Sequence, residues 1–191
     1  MTELKSIYLA GPDVFFVDAE DHFTKLEALC LRFGLRGVRP SDGGLSSGFE
    51  GPGPVIAQRI YEANMDLIRG CDGVLANLMP FRGKLEPDSG TVFEVGVAVA
   101  LGKPVAGYFP ECAELFEHRV IQACGVLPEK PGAPLFDATY GYMVESFQQP
   151  LNLMLSRSSA LYATAEQALE HLREHLRAQS KAGLAPVRKA A

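Results

Sequence analysis

The sequence lacks most of the features that mark membrane, secreted and metal-binding proteins. No apolar run reaches 18 residues, and the apolar stretch near the N-terminus is too short for a signal peptide. The four cysteines are scattered, with no C-x-x-C pair and no histidine at metal-ligand spacing. Scattered cysteines are typical of free thiols in a reducing compartment. These absences predict a cytoplasmic protein with no metal site, no cofactor-binding cysteine cluster and no membrane partner.

Charge and motif content exclude further classes. The formal net charge of −5 gives no electrostatic basis for binding nucleic acid. A phosphate-binding G-x-x-x-x-G-K-[ST] loop and a G-x-S-x-G nucleophile elbow are both absent. His171 and His175 are one helical turn apart, but they lie among Glu and Arg in an amphipathic pattern, which favours a solvated helix face over a metal pair.

What the sequence does contain is an alternation of short apolar runs and helical patterns. With 191 residues, of which 47% are apolar and 21% charged, the chain suits one globular domain. The alternation predicts a doubly wound parallel α/β sheet with right-handed crossovers. The predicted strands are 6–10, 35–39, 74–78 and 104–109.

The predicted boundaries divide the chain into a main domain, a C-terminal helix and a tail. The α/β domain covers 1–157, an amphipathic helix packed on the same domain falls within 158–180, and 181–191 is a flexible tail. The Gly-rich and Ser-rich segment 41–54 is predicted to be a loop, either functional or disordered.

Three carboxylates surround the third predicted strand and the helix that follows it. Asp72 comes at the start of the strand, Asp88 late in the Gly/Pro-rich loop, and Glu94 in what the pattern predicts to be the first helical turn. Loops leaving the strands and helix N-termini line the ligand crevice of an open α/β sheet. The sequence therefore predicts that all three carboxylates face one crevice.

Each carboxylate also has a purely structural interpretation. Thr91 and Glu94 form a T-x-x-E capping box, in which Glu94 only satisfies a backbone N–H. Asp88 after a proline is typical of a side chain bonded to its own loop. Taken together, however, an ionised nucleophile and a second carboxyl group are what retaining glycosyl transfer requires. Arg82 and Lys84 in the loop offer a phosphate-binding alternative, without a supporting motif.

Four blocks of sequence resemble the nucleoside 2-deoxyribosyltransferase family. They are I-Y-L-A-G-P-D-V-F from residue 7, C-D-G-V from residue 71, P-D-S-G-T-V-F-E-V-G from residue 87, and N-L-M from residue 152. The resemblance implies a flavodoxin-like parallel sheet of about five strands with helices on both faces. It also implies an enzyme that needs no cofactor and moves a 2-deoxyribosyl group between nucleobases with retention of configuration.

The same resemblance implies roles for individual residues. Glu94 matches the nucleophile that forms a deoxyribosyl ester, and Tyr8 matches the tyrosine that positions it. Asp72 matches the carboxylate that handles the proton of the base. The remaining matches are to substrate-binding positions: Asp88 for the sugar, Gly11 and Phe15 beside it, and Asn152 and Met154 reaching the pocket from a neighbouring subunit. A homo-oligomer, either a dimer or a hexamer built from dimers, follows from this last expectation.

Two other functions stay open at the level of sequence. One is a hydrolase of the same architecture that cleaves the N-glycosidic bond of a deoxynucleoside 5′-monophosphate. Asp88 and Asn152 favour a free 5′-hydroxyl over a phosphate, because a carboxylate beside a phosphate would repel it. The other is a non-catalytic nucleotide-binding module, against which the complete set of Tyr8, Asp72, Asp88 and Glu94 argues.

Overall fold

A single five-stranded parallel sheet forms the centre of the molecule. The computed structural model describes residues 4–41, 51–83, 85–127 and 133–183. The strands are β1 (Lys5–Ala10), β2 (Leu35–Val38), β3 (Gly73–Asn77), β4 (Val105–Tyr108) and β5 (Ala160–Tyr162). Their spatial order is β2-β1-β3-β4-β5, and every neighbouring pair is parallel. This is the flavodoxin-like order, so the predicted fold class is confirmed.

Helices cover both faces of the sheet. They are α1 (Ala19–Arg32), α2 (Gly53–Gly70), α3 (Ser89–Ala100), α4 (Phe116–Cys124), α5 (Leu153–Ser158) and α6 (Ala165–Gly183). A short 3-10 turn, Pro12–Phe15, links β1 to α1. Alternate strand residues face opposite sides, so Tyr8 and Val74 share one core with side chains of α2, α3 and α5, while Ile7 and Leu9 share the other with α1 and α6.

The C-terminal region differs from its prediction in two respects. Residues 160–162 form β5, which the sequence analysis did not locate, because three residues are too few to show a strand period. Helix α6 extends to Gly183, into the predicted tail. Its predicted apolar face is buried: Ala168, Leu169, Leu172 and Leu176. The predicted loop residues 42–50 and tail residues 184–191 lie outside the described residues.

The sheet has one point where the chain reverses its direction of winding, between β1 and β3. In open α/β sheets the ligand crevice forms there, outside the carboxyl ends of the two strands. Those ends are Ala10 and Asn77, which are followed by the 3-10 turn and by the loop 78–88. Helix α3 starts at the end of that loop.

None of the helices in the described ranges combines the length and apolar character that crossing a bilayer requires.

Candidate active site

A tyrosine and a glutamate meet beneath the crevice. Tyr8 is fully buried in the middle of β1, and Glu94 is partly buried in the second turn of α3. The Tyr8 hydroxyl donates a hydrogen bond of 2.6 Å to Glu94 Oε1. The two side chains meet because Tyr8 points to the face of the sheet on which α3 packs. This bond fixes one carboxylate oxygen and leaves Oε2 available on α3.

Burial controls the protonation of this pair. The pKa of Glu94 is raised to about 7, because burial and the nearby charge of Asp88 together raise it more than the Tyr8 hydrogen bond lowers it. Burial, followed by the charge of Glu94, also raises the pKa of Tyr8 above its ordinary value. Tyr8 therefore stays a protonated donor, while Glu94 exchanges its proton near neutral pH.

The cap of α3 is Asp88, and this corrects the capping-box alternative for Glu94. Asp88 Oδ2 accepts hydrogen bonds from the Thr91 amide at 2.8 Å and the Thr91 hydroxyl at 3.0 Å. The observed cap is therefore three residues before Thr91, the predicted cap, and the helix begins at Ser89. Glu94 is therefore one turn too far along the helix to bond its first amide, and its carboxylate pairs with Tyr8 instead. Asp88 has the structural role expected of an N-cap and is also close enough to affect Glu94.

Asp72 lies at the opposite edge of the sheet from the crevice, which contradicts its predicted place beside Glu94. It immediately precedes β3, so it marks the amino end of a parallel strand. Its carboxylate accepts hydrogen bonds of 2.8 Å from the Ser6 amide and from Lys5 Nζ, at the start of β1. Burial acts to raise the pKa of Asp72, but these hydrogen bonds outweigh it and hold the pKa below its ordinary value. Asp72 therefore links the amino ends of β1 and β3.

Gly11 and Phe15 lie on the turn that follows β1. The Phe15 ring is exposed and stacks on Phe81 from the loop after β3, with centroids 5.3 Å apart. The Arg82 guanidinium lies over the rings of Phe15 and Phe81. Arg82 has a φ of +54°, in the left-handed region that few non-glycine residues adopt.

Phe81 is not among the predicted site residues, although it stacks on Phe15 and follows the carboxyl end of a buried strand, where ligand crevices form. Arg82 and Lys84 are the two residues of the predicted phosphate-binding alternative. Arg82 is described above, and Lys84 lies outside the described residues. Within the described ranges, no group of three His, Cys, Asp or Glu side chains is placed to hold a metal ion.

Asn152 and Met154 lie at the start of α5. Asn152 is the N-cap, and its Oδ1 accepts from the amides of Met154 and Leu155 at 3.1 and 3.2 Å. Burial raises the pKa of Glu86, in the loop before α3, and the nearby Asn152 side chain acts to lower it. Met154 is 73% exposed and so is not used in this chain's own core.

The sequence model described as Nucleoside 2-deoxyribosyltransferase matches residues 7–154 of the chain. That match spans more than half of the 191 residues and includes Tyr8, Asp88 and Glu94. The chain belongs to the nucleoside 2-deoxyribosyltransferase family.

Solved structures and a curated relative agree with this family. A 2-desoxiribosyltransferase from Leishmania mexicana is 32% identical, with 90% of this chain and 98% of that one covered and a TM-score of 0.64. A conserved protein from Enterococcus faecalis V583 is 18% identical, covers 91% of this chain and 99% of its own, and has a TM-score of 0.56, which shows a shared fold. An uncharacterized protein of Schizosaccharomyces pombe is 38% identical over 102 residues, which are 53% of this chain and 48% of that protein. The match thus spans about half the length of this curated relative.

Proposed function

We propose that this protein is a nucleoside 2-deoxyribosyltransferase that works through a covalent intermediate on Glu94. The observation that carries the proposal is the 2.6 Å hydrogen bond from buried Tyr8 to Glu94 at the carboxyl side of the sheet. Membership of the family supplies the substrate class, deoxynucleosides and nucleobases. The proposed reaction needs no cofactor.

In the proposed first step, the Glu94 carboxylate attacks C1′ of the deoxyribosyl group. The bond from C1′ to the base nitrogen breaks, its electron pair leaves with the base, and the base takes up a proton. A deoxyribosyl ester of Glu94 remains. A nitrogen of the second base then attacks C1′ and gives up its proton to solvent, and the carboxylate leaves, so two inversions give net retention.

Tyr8 and Asp88 have supporting roles in this proposal. Tyr8 holds Oε1, so that Oε2 of Glu94 is the oxygen aimed at C1′. Asp88 uses Oδ2 to cap α3, and its other oxygen is proposed to accept a hydrogen bond from the 5′-hydroxyl of the sugar. Asp72 is not part of the proposed site, because its carboxylate is bonded at the far edge of the sheet.

The proposed active unit is an oligomer in which Asn152 and Met154 complete a neighbour's pocket. The segment before α5 exposes an unusual amount of apolar surface, with Tyr140, Tyr142 and Met143 each more than half exposed. Tyr140 and Tyr142 stack on each other at 5.9 Å. Exposed apolar patches of this kind mark association surfaces, and Met154 lies on the same stretch of chain.

A transfer assay with and without an acceptor base tests the proposed function. Deoxyinosine and adenine are expected to give deoxyadenosine and hypoxanthine, with slow release of hypoxanthine when adenine is omitted. Equal hypoxanthine release in both reactions would identify a hydrolase. No conversion of any deoxynucleoside or its 5′-monophosphate, together with measurable nucleotide binding, would identify a non-catalytic module.

A further inference from the structure

A buried polar cluster joins the ends of β1 and β3 at the crevice. Asp13, in the turn after β1, and Asn77, the last residue of β3, are each only 2% exposed. Asn77 Nδ2 donates to both carboxylate oxygens of Asp13, at 3.0 and 3.1 Å. His22 Nε2, from the first turn of α1, lies 2.5 Å from Asp13 Oδ1, as an ion-pair contact rather than an aligned hydrogen bond. The proposed chemistry uses none of these three groups.

The cluster is not needed to pair the strands. The register of β1 and β3 already runs from Ile7↔Gly73 to Ala10↔Ala76 through the backbone alone. Asp13 and Asn77 extend this connection past the last registered pair, into the loops. Burying a carboxylate costs several kcal/mol unless it is well paired, so a connection made in this way calls for a reason beyond strand pairing.

The neighbouring glycine makes room for the cluster. A Cβ at Gly11 would overlap Asp13 Oδ2 and would lie 2.9 Å from Asn77 Cβ. A side chain at position 11 would therefore push Asp13 away from Asn77. The lack of a side chain at position 11 is therefore required by packing, independently of any contact between Gly11 and a substrate.

Both loops that hold the aromatic pair leave from this cluster. Phe15 is two residues beyond Asp13 in the same turn. On the other side, Asn77 Oδ1 accepts a hydrogen bond of 3.2 Å from the Met79 amide, at the start of the loop that carries Phe81. The 5.3 Å stack of Phe15 on Phe81 is the point where the two loops meet again.

We infer that Asp13 is a positioning residue, which acts through Asn77 to hold Phe15 and Phe81 together as the wall against which the nucleobase binds. The inference rests on the proposed function, because the nucleobase as ligand comes from there. Asp13 itself is too deeply buried to touch a substrate. Asp13 therefore affects the binding affinity for the base more than the rate at which the bond from C1′ to the base nitrogen breaks.

An exchange of the two side chains tests this inference. Asn77→Asp places two acceptor carboxylates face to face, and their repulsion should separate the loops. We expect the KM for the nucleoside to rise about tenfold, with a smaller change in kcat. The double variant Asp13→Asn with Asn77→Asp restores one donor facing one carboxylate, in reversed order, and should return the KM to within about threefold of the original.

A second readout does not depend on activity. With 4-fluorophenylalanine incorporated at position 15, the ¹⁹F resonance reports the stack on Phe81. Asn77→Asp should move it to the position seen in a Phe81→Ala control, and the double variant should move it back. If Asn77→Asp does not fold, Asn77→Ala removes the donor without the charge repulsion and should shift the resonance in the same direction.

An unchanged ¹⁹F resonance in the folded Asn77 variants would overturn the inference, as would a double variant that fails to restore it. An inactive wild-type protein whose resonance responds as expected would instead overturn the proposed function and leave the positioning role of Asp13 in place.

Discussion

At the scale of single residues, the protonation of Glu94 follows from competition between burial and hydrogen bonding. The N-terminal region of a helix favours an ionised carboxylate, and the sequence analysis used this to support a nucleophile. Burial proves the stronger effect, since the pKa of Glu94 is raised to about 7 even though Tyr8 donates to it. A group of this kind is half ionised at neutral pH rather than permanently charged.

The first prediction concerns pH. The value of kcat/KM for a deoxyribosyl donor should fall about tenfold per pH unit below a midpoint near 7, because only ionised Glu94 attacks C1′. Tyr8→Phe removes a hydrogen bond that lowers the pKa, so its midpoint should move to higher pH. Asp88→Asn keeps a capping side chain but removes a charge that raises the pKa, so its midpoint should move lower. If the midpoints of the two variants move in the same direction, or do not move, the pH dependence does not come from Glu94.

The second prediction concerns Asp72. Asp72→Asn should leave kcat/KM within about threefold of the original, because the carboxylate is bonded to Ser6 and Lys5 at the edge away from Glu94. Loss of the partly exposed ion pair should lower the free energy of unfolding by about 1 kcal/mol or less. Steady-state kinetics and urea unfolding measure the two effects. A loss of activity of a hundredfold in a folded variant would return Asp72 to the mechanism.

At the scale of elements, the start of α5 combines a cap with a proposed contact to a neighbour. Asn152→Ser retains a side-chain acceptor for the amides of Met154 and Leu155, whereas Asn152→Ala removes it. The third prediction is that Ser restores the stability that Ala loses, about 1 kcal/mol, but does not restore the transfer rate. Thermal unfolding and the transfer assay, run on both variants, separate these roles. Full activity of the Ser variant would show that Asn152 only caps its own helix.

The order of strands and helices could be predicted from the sequence because each element has its own pattern. Buried strands such as β3 are continuous apolar runs, and α6 has a helical apolar face that is indeed buried. The strand β5 has neither signal, because it has three residues that are all only partly buried. Its place at the sheet edge depends on pairing with β4, which is a long-range contact.

The positions of the predicted site residues in the fold could be foreseen only in part, and each difference has its own physical reason. The link between Tyr8 and Glu94 spans 86 positions in sequence and came from family resemblance rather than from any local pattern. Asp72 was predicted beside Glu94, but a residue that precedes a parallel strand lies at the amino edge of the sheet, away from the crevice. The cap of α3 was misplaced because Asp88 and Thr91 are both good caps in overlapping frames, and the folded loop selects Asp88.

At the scale of the whole molecule, the proposed oligomer would add Asn152 and Met154 of one chain to the site of another. Met154 is 73% exposed, and the aromatic residues Tyr140 and Tyr142 are 69% and 71% exposed. Contiguous exposed apolar side chains mark surfaces at which another molecule binds. Association through this surface would bring Met154 next to another copy and link assembly to activity.

The fourth prediction follows from that link. Met154→Glu places a charge on the exposed apolar surface and should shift the protein towards monomers, with loss of most of the transfer activity. The matched change Arg157→Glu lies on the same helix and should affect association less. Sedimentation velocity and specific activity measured over the same dilution series test this. A monomer with full specific activity would refute neighbour completion of the site.

The central claim is the covalent bond to Glu94, and mass spectrometry of the protein tests it most directly. Wild-type protein mixed with a deoxynucleoside, quenched in acid before an acceptor is added and digested, should contain a peptide that carries one deoxyribosyl group on Glu94. Glu94→Gln, which keeps the size of the side chain and an acceptor for Tyr8, should contain none and should not catalyse transfer. Rapid transfer by wild-type protein with no modified peptide, or transfer by the Glu94→Gln variant at the wild-type rate, would contradict the account.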